Sequence, residues 1–290
     1  MRVLSFNATM TAIAAGVLAL SAWGMHAARI TLPASQVVPR LALLGVLLAG
    51  VAFYRWRKVE RALNLVLMTF WAVLISNLLL LSMYVAARLS AQPCDAQLAR
   101  IDAWLGVEVP DVLRLMEQVP AVGRVLEVCY GTLIFLMTLA IMVPPLCGRM
   151  ASAKEFALSS VAAAAISLPL FAAFPALGPW SYYGYAPSSP QAESMQVLLA
   201  LKGDDGFVLD LSDLNGVICL PSFHTILAVL SATALWSIPY LRWAAAALAV
   251  LIVLSTVATG WHYLVDVMAG LLVAPASVAA ARGYLWLISD

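Results

Sequence analysis

Charge is scarce in this chain: of 290 residues only 16 are basic and 15 acidic. The net charge of +1 leaves no basic surplus to neutralise a phosphate backbone, which excludes a nucleic-acid partner. Cysteine is also rare, and Cys94, Cys129, Cys147 and Cys219 show neither a CxxC pair nor metal-ligand spacing. Internal repeats, heptad runs and low-complexity blocks are missing. What fills the chain instead is apolar: 63% of its residues are hydrophobic, against roughly 45–50% in soluble domains. That excess excludes both a soluble globular protein and a disordered one.

Long apolar runs mark eight expected spans: Ala8 to Met25, Val37 to Tyr54, Leu63 to Ala87, Gly123 to Leu146, Phe156 to Phe174, Leu220 to Trp236, Trp243 to Thr259 and Tyr263 to Trp286. Hydrocarbon offers backbone amides no water, so each run must be helical. The expected fold class is an all-α polytopic membrane bundle. Arg55, Arg57, Lys58 and Arg61, then Arg149 and Lys154, then Arg242, and finally Arg282 all fall on one side if the spans alternate. Arg2 places the N-terminus there too. Because cytoplasmic loops collect Lys and Arg, both termini are expected in the cytoplasm. A cleaved signal peptide is the alternative reading of the first span, given Arg2 and the small residues around Ala27 and Ala28.

Two long connections, Ser90 to Val122 and Pro175 to Cys219, lie on the opposite face. The first repeats apolar residues at helical spacing (Leu98, Ile101, Trp104, Leu105, then Val112, Leu115, Met116), suggesting two interfacial helices broken at Gly106 and Pro110. A lid that only packs on the bundle accounts for them, as does a substrate-contacting role. The second carries Phe174, Trp180, Tyr182, Tyr183 and Tyr185, which an aromatic belt at the membrane surface explains. Cys94 and Cys219 share this face, where a disulfide is chemically open to them; two free thiols are the alternative.

Only three histidines occur, and two of them stand where spans meet the non-cytoplasmic surface. His26 reads as a solvated interfacial residue. His224 lies in Pro221-Ser222-Phe223-His224-Thr225. With Pro221 at the first helical position, the amides of Ser222, Phe223 and His224 point outward with the positive end of the helix dipole. Such an end binds phosphate. His262 opens His262-Tyr263-Leu264-Val265-Asp266, where a four-residue spacing places imidazole and carboxylate on one helix face. The carboxylate fixes the tautomer and leaves the other nitrogen with a free lone pair. One hairpin of spans separates the two histidines, so both emerge on the same side and could face one phosphorus atom, one attacking and the other protonating the leaving oxygen.

These two segments resemble the second and third signature motifs of the type 2 phosphatidic acid phosphatase superfamily. Trp261-His262-Tyr263 and the bulky Phe223 before the first histidine are similar to the branch containing inositolphosphorylceramide synthase and other inositol phosphotransferases. The resemblance covers the last six spans. It implies a six-helix core over residues 61–290, with the two helices of residues 1–60 accessory. His262 would be the nucleophile of a phosphohistidine, Asp266 its orienting partner and His224 the acid. No metal or other cofactor is implied.

Two departures bear on substrate. Ser255 and Thr256 stand where the superfamily carries Ser-Arg, and Phe174 to Tyr183, where its first motif would fall, holds no Lys or Arg. A phosphate monoester is close to a dianion and calls for several cations, whereas a phosphodiester carries about one charge. The expected phosphate contacts are Ser222, Phe223, Lys202, Arg124, Trp180 and Tyr263. The expected function is transfer of a lipid-borne phosphate or head group, sphingolipid and inositol phosphate included, to a lipid or water acceptor. Lipid phosphate hydrolysis is the near alternative, and a non-catalytic carrier or assembly factor the distant one.

Overall fold

The computed structural model describes residues 5–203, 205–211 and 218–288; Arg2 lies outside them. Thirteen helices follow one another among the described residues: α1 Phe6–Ala27, α2 Ala34–Arg57, α3 Glu60–Leu89, α4 Asp95–Trp104, α5 Val109–Gln118, α6 Pro120–Gly131, α7 Leu133–Leu146, α8 Met150–Ala173, α9 Pro179–Tyr183, α10 Ser189–Leu201, α11 Phe223–Leu235, α12 Arg242–Ala258 and α13 Leu264–Leu287. Among the described residues the strand content is one parallel pair of two-residue strands, β1 Ile30–Thr31 and β2 Phe207–Val208.

The protein is an all-α membrane bundle. Each of the eight apolar runs corresponds to helix. Five helices, α1, α2, α3, α8 and α13, are long and apolar enough to cross a bilayer. The pair α6 and α7, bent by 43° at Thr132, makes a sixth when counted as one broken span. The remaining two, α11 and α12, are shorter apolar helices of 13 and 17 residues.

Small residues let these helices approach closely. Ala163, Ala228, Ala234, Ala245, Ala249 and Ala274 are all buried in the cluster joining α7, α8, α11, α12 and α13, around Ile226, Leu230 and Ile252. A second cluster sets Phe6 and Met10 of α1 against Met68, Trp71 and Ile75 of α3. There Trp71 Nε1 donates to Asn7 and Thr9 bonds the Tyr284 hydroxyl of α13, so α1 is an integral part of the bundle. Helix α2 buries no residue and rests mainly on α3. Its large apolar side chains, such as Leu41 and Val46, face outward, where lipid replaces protein as the apolar partner.

The first long connection forms two helices, α4 and α5, with Gly106 in the left-handed region between them (φ 77°). Pro110 sits in the first turn of α5, where its missing N–H costs nothing. Helix α4 is pinned to the bundle by two acidic residues seven apart on its inner face. Asp95 accepts from the backbone N–H of Leu177 and Gly178, each at 2.9 Å. Asp102, fully buried, accepts from Leu264 N at 2.7 Å and Val265 N at 2.9 Å. Charge-assisted bonds of this kind contribute about 1.5–3 kcal/mol each. The helix is therefore a clamp across one end of the bundle.

Candidate active site

Beneath that clamp, two helix N-termini and one tight turn bring His224, His262 and Asp266 together. After α12 the chain reverses through Gly260, in the left-handed region at φ 72°, where an added Cβ would lie 2.8 Å from the Tyr185 hydroxyl. The carbonyl of Thr256 then accepts from the N–H groups of both Trp261 and His262, each at 3.1 Å. This holds His262 just ahead of α13. Ser255 and Thr256, which stand where the superfamily motif carries Ser-Arg, are fully buried and return their hydroxyls to the backbone of their own helix.

His262 Nδ1 lies 3.4 Å from Asp266 Oδ2. The contact is long because that oxygen is shared. It also accepts from Tyr263 N at 2.9 Å and from the Cys219 thiol at 3.0 Å, while Oδ1 has no partner among the described residues. Asp266 is fully buried, and His262 is 4% exposed. The carboxylate thus faces Nδ1 and leaves Nε2 as the free nitrogen. The four-residue spacing works as expected, although His262 precedes the helix: Tyr263 is the cap and Asp266 the third helical residue.

His224 sits one turn into the bundle from Pro221, and here the expected geometry changes. Ser222, not Pro221, ends the loop; it is the N-cap, its hydroxyl oxygen accepting from Thr225 N at 3.3 Å and from the Thr225 hydroxyl at 3.1 Å. The Ser222 amide donates to the Asp266 carbonyl at 2.9 Å. Of the three amides expected to face a phosphate, Ser222 is therefore occupied. Those of Phe223 and His224 take no partner among the described residues. Gly270 makes this crossing feasible, since a Cβ there would meet the Ser222 carbonyl at 2.8 Å.

The two imidazoles stand 6.4 Å apart, centroid to centroid. His224 stacks on Tyr130 of α6 at 4.4 Å and 10°, Tyr130 lies parallel to Trp261 at 5.7 Å, and Trp180 meets Trp261 edge-on at 5.6 Å. An aromatic row therefore runs from α9 to His224. Tyr130 touches the site directly; Trp180 is buried two rings away.

The other expected phosphate contacts lie elsewhere. Lys202 donates to the carbonyls of Ser90 and Ala91, which follow α3, and Arg88 donates to those of Leu201, which ends α10, and of Gly203 and Asp205 beyond it. Cations belong at these ends, because carbonyls left without amides carry the negative end of the dipole. Burial, with Arg88 alongside, pushes the Lys202 ammonium pKa down. Arg124 is exposed and turns its Nε to Pro120 O of its own helix. The Tyr263 hydroxyl, fully buried, donates to Asp95 at 3.1 Å. All four cysteines are free thiols, so Cys94 and Cys219 form no disulfide.

Sequence reasoning missed Cys219, Tyr130, Asp102 and Gly270. Their partners lie far along the chain, 162 residues from Asp102 to Leu264 and 47 from Cys219 to Asp266. Asp102 carried no local signal beyond being one of the polar residues of an amphipathic helix, and Cys219 lies within a short apolar stretch.

An apolar helical exterior, with His224, His262 and Asp266 gathered at one end of the bundle, marks an integral membrane protein. The PAP2 superfamily profile matches residues 96–280, more than half of the chain, and the chain belongs to that superfamily. Membership supports an activity of phosphatase or phosphotransferase type on a lipid phosphate. No curated protein and no solved structure matches the chain.

Proposed function

We propose that the protein transfers a lipid-borne phosphate or phosphorylated head group through a phosphohistidine on His262, with an alcohol-bearing lipid or water as acceptor. The observation that carries this reading is the pairing of two imidazoles 6.4 Å apart, only one of which has a buried carboxylate on its far nitrogen. We assign the roles on that asymmetry. His262, with Nε2 free, attacks phosphorus. His224 gives its proton to the departing oxygen as the P–O bond breaks, and Asp266 stabilises the positive charge that develops on His262. In the second half His224 takes a proton from the acceptor hydroxyl, whose oxygen attacks phosphorus and releases His262. A phosphorus atom about 3–3.5 Å from the attacking nitrogen, with its leaving oxygen about 2.6–3.2 Å from His224, spans the gap between the rings.

The amides of Phe223 and His224 are the phosphate seat in this reading, acting with the dipole of α11. Lys202 is tied to the carbonyls of Ser90 and Ala91, and Arg124 turns its Nε to a carbonyl of its own helix, so neither expected cation is bonded at the seat. This favours a phosphodiester monoanion over a monoester dianion. Head-group transfer follows from that preference, and an inositol phosphate head group is its finest form, resting on the motif resemblance.

The basic residues between α2 and α3, between α7 and α8, and between α11 and α12 lie at the bundle end opposite the histidines. Because cytoplasmic loops collect Lys and Arg, this distribution supports a topology with both termini in the cytoplasm and the site on the periplasmic, extracellular or luminal face. The test is product analysis with purified protein, a head-group-labelled phospholipid, and an alcohol-bearing lipid added or withheld. The proposal expects label in a new lipid only when the acceptor is present. Free inorganic phosphate or free head-group phosphate in both arms would reduce the reading to hydrolysis, and an unchanged lipid in both would overturn it.

A further inference from the structure

Cys219, His262 and Asp266 bring a thiol, an imidazole and a carboxylate into one buried cluster, with donor atoms all within 4.8 Å of one another. The mechanism above uses the imidazole and the carboxylate; the thiol has no part in it. The sides of the triangle are 3.0 Å from Sγ to Oδ2, 3.9 Å from Sγ to Nδ1 and 3.4 Å from Nδ1 to Oδ2. Tetrahedral zinc at its usual bond lengths sets such donors about 3.4–3.6 Å apart. Side-chain movements of about half an ångström therefore bring these three donors to zinc spacing, with a fourth position left for water. A second observation points the same way: Asp266 Oδ1 is buried with no partner among the described residues, so the carboxylate has an unused oxygen beside the triangle.

The geometry points to a site for a borderline-soft divalent cation, zinc or cadmium, on the far side of His262 from the substrate. Charge favours it: a dication with one thiolate, one carboxylate and a neutral imidazole is neutral, and neutrality suits a buried site. On binding, the Cys219 S–H bond breaks, its proton leaves to solvent, and the sulfur, Asp266 and His262 Nδ1 each donate an electron pair to the metal. The single proton of the neutral imidazole then resides on Nε2. The lone pair needed for attack is gone, so the bound cation switches the enzyme off. The metal site stands on its own geometry; the inhibitory consequence rests on His262 being the nucleophile.

The test uses the full chain purified in detergent, with Cd2+ as the probe. In a Cys94→Ala, Cys129→Ala, Cys147→Ala background, Cd2+ is expected to give the near-ultraviolet thiolate-to-metal band at one equivalent. Adding Cys219→Ser is expected to remove the band while keeping a hydroxyl donor to Asp266. A missing band in the triple variant, or one that survives Cys219→Ser, overturns the site. In the same preparations, lipid-phosphate turnover is expected to fall at least about ten-fold at saturating Cd2+, and Cys219→Ser to raise the half-inhibitory concentration at least about ten-fold. A band at Cys219 with turnover untouched by Cd2+ overturns the inhibitory switch and leaves the metal site standing. With no turnover in any preparation, the phosphotransfer reading fails and the band still decides the site.

Discussion

The two helix N-termini that meet at the site differ in what fills them. At α13 the first three amides are occupied by carboxylate oxygens: Tyr263 N by Asp266, Leu264 N and Val265 N by Asp102. At α11 the neighbouring amides of Ser222 and Thr225 are also occupied, by the Asp266 carbonyl and by Ser222 Oγ, but those of Phe223 and His224 remain open. One end is a closed structural joint supplied with its own anions. The other is a joint with two donors left over, beside a histidine. In a bundle with so little charge, the chain's own carboxylates occupy the end that must hold still, which leaves the open end as the place for a substrate anion.

Predictions that break this contrast rank as follows. Removal of the nucleophile is largest: His262→Ala is expected to lower turnover by about a thousand-fold or more with the bundle still folded, as measured by steady-state assay beside a thermal melt. Retained activity would move the nucleophile elsewhere. Opening the closed end comes next. Asp102→Ala leaves two amides at the start of α13 without partners, at a cost of about 1–3 kcal/mol each; a lower melting temperature in detergent is expected, together with a loss of turnover as His262 loses its support. An unchanged melt would contradict the clamp.

Separating the two ends should cost less. Gly270→Ala puts a Cβ 2.8 Å from the Ser222 carbonyl, so α11 must shift away from α13, and turnover is expected to drop about ten-fold with a smaller change in stability. Arg124→Ala is the smallest. Its guanidinium is exposed and bonded only to its own helix, so kcat/KM should stay within about two-fold of the parent. A hundred-fold fall would show that Arg124 swings in to grip the phosphate, and the cation-free seat would be wrong.

The spans were legible because apolar runs of this length have one structural outcome in a bilayer. The break at Thr132 was not, since Gly131 and Thr132 interrupt no hydropathy signal. His224, His262 and Asp266 were legible because their arrangement is mostly local: a carboxylate four residues on, and two helix ends on one face. The fate of the cations was not. Lys202 and Arg88 each reach carbonyls more than 110 residues away in the chain, and no spacing rule foretells which helix end a lysine will cap. The same holds for Asp102, read as one polar residue of an amphipathic lid, whose two bonds define the start of α13.

The central claim is that His262 carries the phosphoryl group while α11 seats its oxygens. Its most direct test is a rapid quench of the enzyme with phosphorus-labelled lipid under conditions that preserve phosphoramidates, followed by peptide mapping. The account predicts acid-labile label on the peptide containing His262, absent in His262→Ala. Label on the peptide containing His224 or on Cys219, or turnover with no labelled peptide at any time, would contradict it.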